Sequence, residues 1–337
     1  MADKNKNEQN MKILFLRPGK LGDMIVATPL FKAIKVQIPN SIIAVVASPY
    51  NQVIVRHNQH INILKVVNFH SLFSLIKLIV WIRKEKFNWV IDLTPEISTT
   101  SSIIARLVRS SRIKIAGMHK GEHSRYFDIV TENKDIHLID RNRLLLEAVF
   151  DCSFTGDFRP DISIDIRNIK HAMDVLGDCS NNTFKIGINC SAGASMRQWT
   201  KNNYQKLLNA INSKYPHASV VLFSVGAQTA WVQEFKSVFD NIVEVCDVEF
   251  LTVAAIIQML DYFITPDTSL LHVASAFKIP NVGLYCMGGE NFIRWRAYKT
   301  VSKELVALES NDVNEITVEH VMAALCELIE RNTETNV

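Results

Sequence analysis

The chain has 337 residues, of which 48% are hydrophobic and 21% are charged, so it is long enough for two globular domains and is not intrinsically disordered in composition. Its six cysteines show neither CxxC nor His/Cys ligand spacing, which argues against a disulfide framework or a zinc site and favours a reducing cytoplasm. Residues 1–150 carry 22 basic and 12 acidic residues (net +10), whereas residues 151–337 carry 15 and 22 (net −7). The basic residues form no aromatic-interleaved stripe, so we expect no nucleic-acid partner.

The first half alternates between strand-like and helix-like segments. Residues 1–10 are polar, without the apolar run of a signal peptide, and are predicted to be a flexible tail. The apolar patterns then predict strands at Ile13–Leu16, Ile42–Ala47, Trp89–Leu93 and Ile113–Ala116, and helices at Met24–Gln37, Val53–His57, Phe69–Lys84, Ser101–Arg109 and Arg141–Phe150.

The alternation restarts after a polar stretch, Asp151–Thr183. Here the patterns predict strands at Phe184–Asn189, Val220–Ser224, Tyr262–Ile264 and Asn281–Tyr285, and helices at Tyr204–Lys214, Thr229–Phe239, Val253–Met259, Leu270–Phe277 and Val313–Ile329. Such alternation predicts an α/β protein with parallel sheets covered on both faces. We therefore predict two doubly wound, Rossmann-like domains, at residues 11–165 and 183–330, facing across a cleft that binds ligands beyond the strand ends.

The most apolar segment is Leu72–Ile82, which is too short to span a membrane. Its pattern favours a mostly buried helix. A helix lying on a membrane surface is the alternative, because Arg83, Lys84 and Lys86 follow at once.

A glycine-containing loop, RPGKLGD, follows the first predicted strand. Gly19 and Gly22 allow the backbone to approach a ligand closely, although the loop matches neither GxGxxG nor the Walker pattern. Asp23 fits the N-cap of the helix from Met24, and it also fits a general base facing the cleft. The two roles are compatible.

Two further loops follow strands in the second half. The small residues Ser191, Ala192, Gly193 and Ala194 predict a nest of N–H groups suited to phosphate, with Arg197 either pairing with a diphosphate or lying solvated on the surface. In PDTSLLH, the residues Asp267, Thr268 and Ser269 open a helix whose positive end favours an anion. His272 shares a helix face with Thr268; the simpler interpretation is an Asp N-cap and a core histidine. We find no HExxH, GxSxG or other metal or nucleophile motif.

Together these segments resemble glycosyltransferase family 9, the ADP-heptose:lipopolysaccharide heptosyltransferases. The resemblance is carried by ILFLRPGKLGDMIVATPLFKAIK, by His137 and Asp140-Arg141, and by PDTSLLHVASAFKIPNVGLY, and it covers roughly residues 11–330. It implies the GT-B fold and an inverting transfer that needs neither metal nor other cofactor. The implied substrates are a nucleotide sugar, ADP-heptose, and an anionic glycolipid, the Kdo/heptose inner core of lipopolysaccharide.

The resemblance also implies roles for particular residues. Asp23 corresponds to the catalytic base and Arg197 to the cation that stabilises the departing diphosphate. The expected donor-binding residues are Ser191, Ala192, Gly193, Ala194, Val248, Asp267, Thr268, Ser269 and His272. For the acceptor, the basic first half and the resemblance together indicate Lys20, Arg56, Lys120, Arg125 and Arg141, with peripheral contact at the inner membrane as a further expectation.

Three departures from the family pattern leave the donor sugar and its base open. Ser269 stands where the family commonly has Gly, Cys286-Met287-Gly288-Gly289 replaces Gly-Pro-Thr, and Pro18-Gly19-Lys20 is an unusual filling of the first loop. The alternatives are transfer from another nucleotide sugar, a nucleotide-sugar epimerase of two-Rossmann architecture, and a non-catalytic nucleotide-sugar-binding protein.

Overall fold

Two parallel sheets form the framework of the chain, each within its own unit; the units divide between Ser163 and Ile164. A computed structural model describes residues 11–95, 97–181, 184–286 and 289–335. The predicted tail at residues 1–10, and Met287 and Gly288 of the second departure, lie outside the described residues.

The first sheet has six strands in the order β3-β2-β1-β4-β5-β6, so the chain starts in the middle and winds outward in both directions. Its strands are β1 (Lys12–Arg17), β2 (Ile42–Ala47), β3 (Ile63–Val66), β4 (Trp89–Asp92), β5 (Lys114–Met118) and β6 (Ile129–Thr131). The helices of this unit are α1 (Leu21–Ile25), α2 (Thr28–Gln37), α3 (Leu72–Glu85), α4 (Thr99–Val108) and α5 (Leu138–Phe150).

The second sheet repeats the plan in the order β12-β11-β10-β7-β8-β9. Its strands are β7 (Lys185–Asn189), β8 (Ser219–Ser224), β9 (Ile242–Cys246), β10 (Tyr262–Pro266), β11 (Asn281–Tyr285) and β12 (Ser302–Val306). Its helices are α6 (Ile166–Leu176), α7 (Lys201–Lys214), α8 (Thr229–Lys236), α9 (Phe250–Gln258), α10 (Ser269–Ala276), α11 (Gly289–Trp295) and α12 (Val318–Thr335). The prediction of an α/β, doubly wound GT-B architecture is confirmed.

The central strands are buried on both faces, which explains their continuous apolar sequences. In β1 every residue after Lys12 is buried, and the strand pairs in parallel with β2 and β4. Leu14 and Leu16 contribute to a core cluster together with Val90 and Ile115 of neighbouring strands. This burial brings the ends of β1 and β4, and the loops that follow them, to one edge of the sheet.

All four strands that the sequence did not predict are edge strands, namely β3, β6, β9 and β12. An edge strand is covered on fewer sides, so its sequence need not be a continuous apolar run. β12 has the sequence SKELV with only half-buried residues, and β6 is three residues long.

The predicted helix Met24–Gln37 is two helices, because α1 already begins at Leu21 and α2 begins at Thr28. Pro29 lies in the first turn of α2, where its missing N–H costs nothing but where it cannot continue a preceding helix. The predicted helix Val53–His57 is a single 3₁₀ turn, Gln52–Ile54.

The polar stretch that was predicted to join the domains contains a helix of the second unit. Asp165 caps α6 by accepting hydrogen bonds from the backbone N–H groups of Arg167 and Asn168. Asn168 then donates to Glu249 Oε2 (3.1 Å) and Thr252 Oγ1 (3.0 Å) beside α9. The second unit therefore begins earlier than the predicted residue 183.

Helix α3 is not the mostly buried helix that its apolar sequence favoured. Only Leu78 and Ile82 are buried, and several large apolar side chains of α3 are exposed. Among the described helices, we find none that is both long enough and apolar enough to cross a membrane.

Candidate active site

The loop after β1 holds Asp23 by both of its carboxylate oxygens. Oδ1 accepts a hydrogen bond from Arg17 Nη2 (3.0 Å), and Oδ2 accepts one from the backbone N–H of Lys20 (2.7 Å). Because α1 begins at Leu21, Asp23 lies in its first turn and is not the N-cap of a helix from Met24; it still satisfies a backbone N–H at the helix start. The carboxylate has a fixed direction and remains partly accessible, with 21% of the side chain exposed.

Arg17, the last residue of β1, is the main partner of Asp23 and was missed as a site residue in the sequence. Its side chain is buried and also donates to the carbonyl oxygens of Asp23 (2.8 Å) and Leu93 (2.9 Å). Burial lowers the pKa of the Arg17 guanidinium, and the carboxylates of Asp23 and Asp92 oppose this change. The sequence signal that could have identified Arg17 is an arginine at the end of a buried strand, because a buried charge needs hydrogen-bonding or oppositely charged partners.

A second charge pair, between Lys120 and Asp92, interacts electrostatically with Arg17 through the Asp92 carboxylate. Lys120 Nζ lies 2.7 Å from Asp92 Oδ2 at the end of β4 and also donates to the carbonyl of Thr94 (2.9 Å). The prediction that Lys120 is an acceptor-binding cation at the surface is wrong, because its side chain is 0% exposed. Its ammonium group instead neutralises a buried carboxylate, as buried charges require.

Two glycines make room for these side chains. Gly19 has φ +122°, and a Cβ at this position would collide with Oδ2 of Asp23. A Cβ on Gly117 would lie 2.6 Å from Lys120 Cε, so this position of β5 must remain small for Lys120 to be buried.

The other predicted acceptor residues lie on or beside different elements of the first unit. Lys20 is the exposed N-cap residue of α1, and Arg56 is exposed after the 3₁₀ turn. Arg125 is exposed and donates to Tyr126 Oη (2.9 Å). Arg141 is buried in α5 and lines a cavity of about 320 Å³ together with Lys134. Lys20 is thus the predicted acceptor cation that lies next to Asp23 in the chain.

The loop after β7 is held internally, which changes the predicted phosphate nest. Ser191 donates its N–H to Asn189 Oδ1 (3.1 Å), and Ala192 donates its N–H to Gln198 Oε1 (2.9 Å). Ser191 Oγ accepts from the N–H of Val225 (2.9 Å). Two of the predicted phosphate donors are therefore already used, whereas Gly193 is exposed.

Arg197 is not a solvated surface residue but pairs with Asp267 at the end of β10. Its Nη1 donates to both the Asp267 carbonyl (3.0 Å) and Oδ2 (3.1 Å). Burial raises the pKa of Asp267, and the positive charge of Arg197 partly offsets that rise. Arg197 and Asp267 are therefore in direct contact, and their role in a donor site stays a prediction.

The N-terminus of α10 is capped by Thr268 and not by Asp267. Thr268 Oγ1 accepts from the N–H of Leu270 (3.3 Å) and from Asn189 Nδ2 (3.1 Å). Asn189 also donates to Thr265 Oγ1 (3.0 Å), so it ties the end of β7 to the end of β10. Asn189 was predicted only as the last residue of a strand and was given no role in a site, because a single Asn carries no motif signal.

The remaining predicted donor residues differ in exposure. Ser269 is the first residue of α10 and is half-buried, and Val248 is half-buried between β9 and α9. His272 is buried with its ring centroid 5.8 Å from that of Trp295, which agrees with the alternative interpretation of a core histidine. Within the described ranges, no group of His, Cys, Asp and Glu side chains could hold a metal ion.

Comparison with known proteins agrees with this architecture. The family model described as glycosyltransferase family 9 (heptosyltransferase) matches residues 75–323. Lipopolysaccharide heptosyltransferase 3 from Escherichia coli strain K12 is 22% identical over 300 residues, which cover 82% of each chain.

Two solved structures of this kind resemble the fold over nearly the whole chain. The glycosyl transferase family 9 protein from Veillonella parvula has a TM-score of 0.82 at 19% identity, covering 96% of this chain and 99% of that one. The E. coli ADP-heptose lps heptosyltransferase II has a TM-score of 0.78 at 17% identity, covering 96% and 100%. The family model spans well over half of the sequence and decides against the epimerase alternative, so the chain belongs to glycosyltransferase family 9 and is a glycosyltransferase.

Proposed function

We propose that the protein is an inverting, metal-independent heptosyltransferase that transfers heptose from ADP-heptose to the Kdo/heptose inner core of lipopolysaccharide. The observation that carries the proposal is the fixed Asp23 carboxylate in one unit, together with the Arg197–Asp267 pair at the start of α10 in the other. Family membership and the names of the related E. coli enzymes support the choice of heptose, ADP and lipopolysaccharide.

In this proposal Asp23 is the general base. The hydrogen bonds from Arg17 and the Lys20 N–H orient the carboxylate, which takes the proton from the acceptor hydroxyl. The acceptor oxygen then forms a bond to the anomeric carbon as the bond from that carbon to the diphosphate oxygen breaks. Attack from the face opposite the leaving group inverts the anomeric configuration.

Arg197 and the start of α10 stabilise the departing ADP. A guanidinium group binds a diphosphate through charge-assisted hydrogen bonds, and a helix N-terminus adds a positive dipole end. Such fixed charges can do the electrostatic work that a metal ion does in other transferases. The proposal includes no cofactor.

We propose a cytoplasmic location with peripheral contact at the inner membrane. The six cysteines are free, which agrees with a reducing compartment.

A nucleotide panel followed by a turnover assay tests the proposal. ADP at about 100 times its dissociation constant should stabilise the protein by roughly 2.7 kcal/mol. UDP, GDP and CDP at the same concentration should stabilise it less. ADP release from ADP-heptose should then depend on a heptose-deficient core acceptor and continue in EDTA. Preferential stabilisation by UDP would indicate another donor, and activity that is lost in EDTA and restored by Mg²⁺ would contradict metal independence.

A further inference from the structure

Helices α3 and α4 lie side by side on one face of the first sheet. The inward residues of both helices belong to the same core cluster: Leu78 and Ile82 of α3, and Ile104, Ala105 and Val108 of α4. Among the described residues, no other segment covers the opposite sides of these helices. In a helix that only closes a core, this outer side is normally polar.

The outer sides of both helices are instead apolar. We use the name α3–α4 face for Leu72, Phe73, Ile76 and Val80 of α3 and Ile103 and Leu107 of α4, whose side chains are between 42% and 74% exposed. Residues 72, 76 and 80 are spaced four apart, as are 103 and 107, so each set forms one stripe along its helix. Scattered exposed apolar residues are ordinary, but stripes on two adjacent helices indicate an interaction surface.

The exposed charges on α3 and α4 have one sign. Lys77, Arg83, Lys84 and Arg106 are exposed on the two helices, and Lys86 is exposed where α3 ends. The one acidic residue within the bounds of α3 and α4 is Glu85, which forms an ion pair with Lys12. Lys77 Nζ lies 4.1 Å from the ring centroid of Phe73, so a cation is placed directly beside the apolar stripe.

This combination fits the surface of an anionic lipid bilayer. Apolar side chains can enter the boundary between head groups and acyl chains, while long basic side chains reach the lipid phosphates. An anionic surface also attracts clustered Lys and Arg residues. A second copy of the same face is disfavoured as the partner, because the two sets of cations would repel each other.

We propose that the α3–α4 face docks the protein on anionic phospholipid membranes. Membrane docking rests on the proposed function, because the lipid-anchored acceptor of that function is presented at such a surface. Docking would raise the local concentration of acceptor without requiring a membrane-spanning segment.

Vesicle co-sedimentation tests the docking without donor or acceptor. The wild-type protein should sediment with extruded vesicles of phosphatidylcholine and phosphatidylglycerol, and much less with phosphatidylcholine alone. The Ile76→Ser, Val80→Ser double variant should bind the mixed vesicles at least about tenfold more weakly, because it loses apolar burial. Arg83→Glu, Lys84→Glu should also weaken binding, and high salt should reduce the difference between this variant and wild type.

A matched control replaces exposed apolar residues elsewhere. Val238 and Leu308 are also exposed and lie in the second unit, so Val238→Ser, Leu308→Ser should bind vesicles like wild type. Thermal unfolding should show equal midpoints for all variants, since none of the replaced side chains is buried. If the Ile76→Ser, Val80→Ser variant unfolds at a lower temperature than wild type, the Arg83→Glu, Lys84→Glu variant decides whether the α3–α4 face binds vesicles.

The outcomes separate this inference from the proposed function. Vesicle binding that is unchanged in both α3 variants would overturn it. Concentration-dependent dimers that the α3 variants abolish, without vesicle binding by wild type, would also overturn it and show that the face binds a second copy. Turnover of a soluble, lipid-free acceptor should be equal in wild type and the α3 variants, so failure of the heptosyltransferase proposal would appear in that assay and leave the vesicle result standing.

Discussion

At the scale of single residues, the site in the first unit consists of two linked charge pairs. Arg17 binds Asp23 directly, and the carboxylate of Asp92, which Lys120 neutralises, also acts on Arg17. The group as a whole has no net charge, so each member depends on the others for compensation. Replacing one member should therefore affect the electrostatics of Asp23 even where it does not touch Asp23.

Asp23→Asn preserves the size of the side chain but removes the base. We expect kcat to fall by about 10²- to 10⁴-fold, with ADP affinity nearly unchanged, because the change lies in the unit that does not hold the proposed nucleotide loops. Steady-state kinetics and ADP titration measure the two effects. Asp174→Asn, on the exposed side of α6, is the matched control, and near wild-type turnover in Asp23→Asn would exclude Asp23 as the base.

Arg197→Ala should slow transfer and weaken ADP binding, because it removes the charge proposed to stabilise the leaving group. The expected loss is about 2–4 kcal/mol of transition-state stabilisation. Arg197→Lys keeps a cation and should recover part of the loss. Unchanged kcat/KM in Arg197→Ala would remove this residue from the site.

The same variant has an expected pH dependence. Burial raises the pKa of Asp267 and Arg197 lowers it, so Arg197→Ala leaves the effect of burial unopposed. A carboxyl whose pKa is raised in the folded state favours folding at low pH, and that contribution is lost as pH rises through the raised pKa. The stability gap between wild type and Arg197→Ala should therefore be wider at pH 8 than at pH 5 in urea unfolding; a gap that does not change with pH would contradict this account.

At the scale of secondary-structure elements, the second site depends on how the ends of β7 and β10 are tied to the start of α10. Asn189 joins Thr265 and Thr268, and Thr268 caps the helix. These contacts hold the first N–H groups of α10 in place before any ligand binds. The geometry of the proposed diphosphate site is thus a property of three elements and not of one loop.

Thr268→Val should destabilise the second unit by about 1–2 kcal/mol, because it removes a helix cap and leaves a buried Asn amide with one partner fewer. Thr268→Ser keeps the hydroxyl and should cost less. Urea unfolding of the two variants measures the difference. Equal stability of the Val and Ser variants would show that the hydroxyl does not hold the helix start.

At the scale of the whole molecule, charge is divided unevenly between the two halves of the sequence, and the first half lies within the first unit. Residues 1–150 have a net charge of +10 and residues 151–337 a net charge of −7. Such a division favours an anionic substrate for the first unit. The burial of Lys120 removes one cation from the available surface but leaves exposed ones such as Lys20, Arg56 and Arg125.

Salt should raise the KM for the acceptor more than the KM for the donor. Exposed charges are screened beyond about 8 Å at physiological ionic strength, whereas Arg197 is partly buried against Asp267. Arg56→Ala, Arg125→Ala should raise the acceptor KM and reduce its dependence on salt. Kinetics at low and high salt test this expectation, and equal salt sensitivity of both substrates with no acceptor defect in the variant would refute it.

Much of the fold could be predicted from the sequence because the central strands are buried on both faces and must be apolar. β2 and β11 occupy the predicted ranges, Ile42–Ala47 and Asn281–Tyr285. The edge strands are covered less: β3, β6 and β12 contain no buried residue and β9 contains two, so they lack the continuous buried runs from which the central strands were predicted. The prediction of a mostly buried α3 failed for a related reason: composition shows that a helix is apolar, but not which of its sides the chain covers.

Asp23, Arg197, Asp267 and Thr268 were predicted as site residues because each follows a strand in a recognisable local pattern, and their roles stay predictions. Which residues pair with one another could not be predicted, since hydrogen bonds such as Arg17 to Leu93 or Arg197 to Asp267 join residues more than 60 positions apart. Lys120 shows the difference most directly: the local sequence describes a cation in a polar connection, and only the approach of β4 to β5 buries it against Asp92. The local sequence thus determined the strand ends at which polar residues gather, whereas tertiary packing decided which charges are buried, because burial depends on contacts between distant segments.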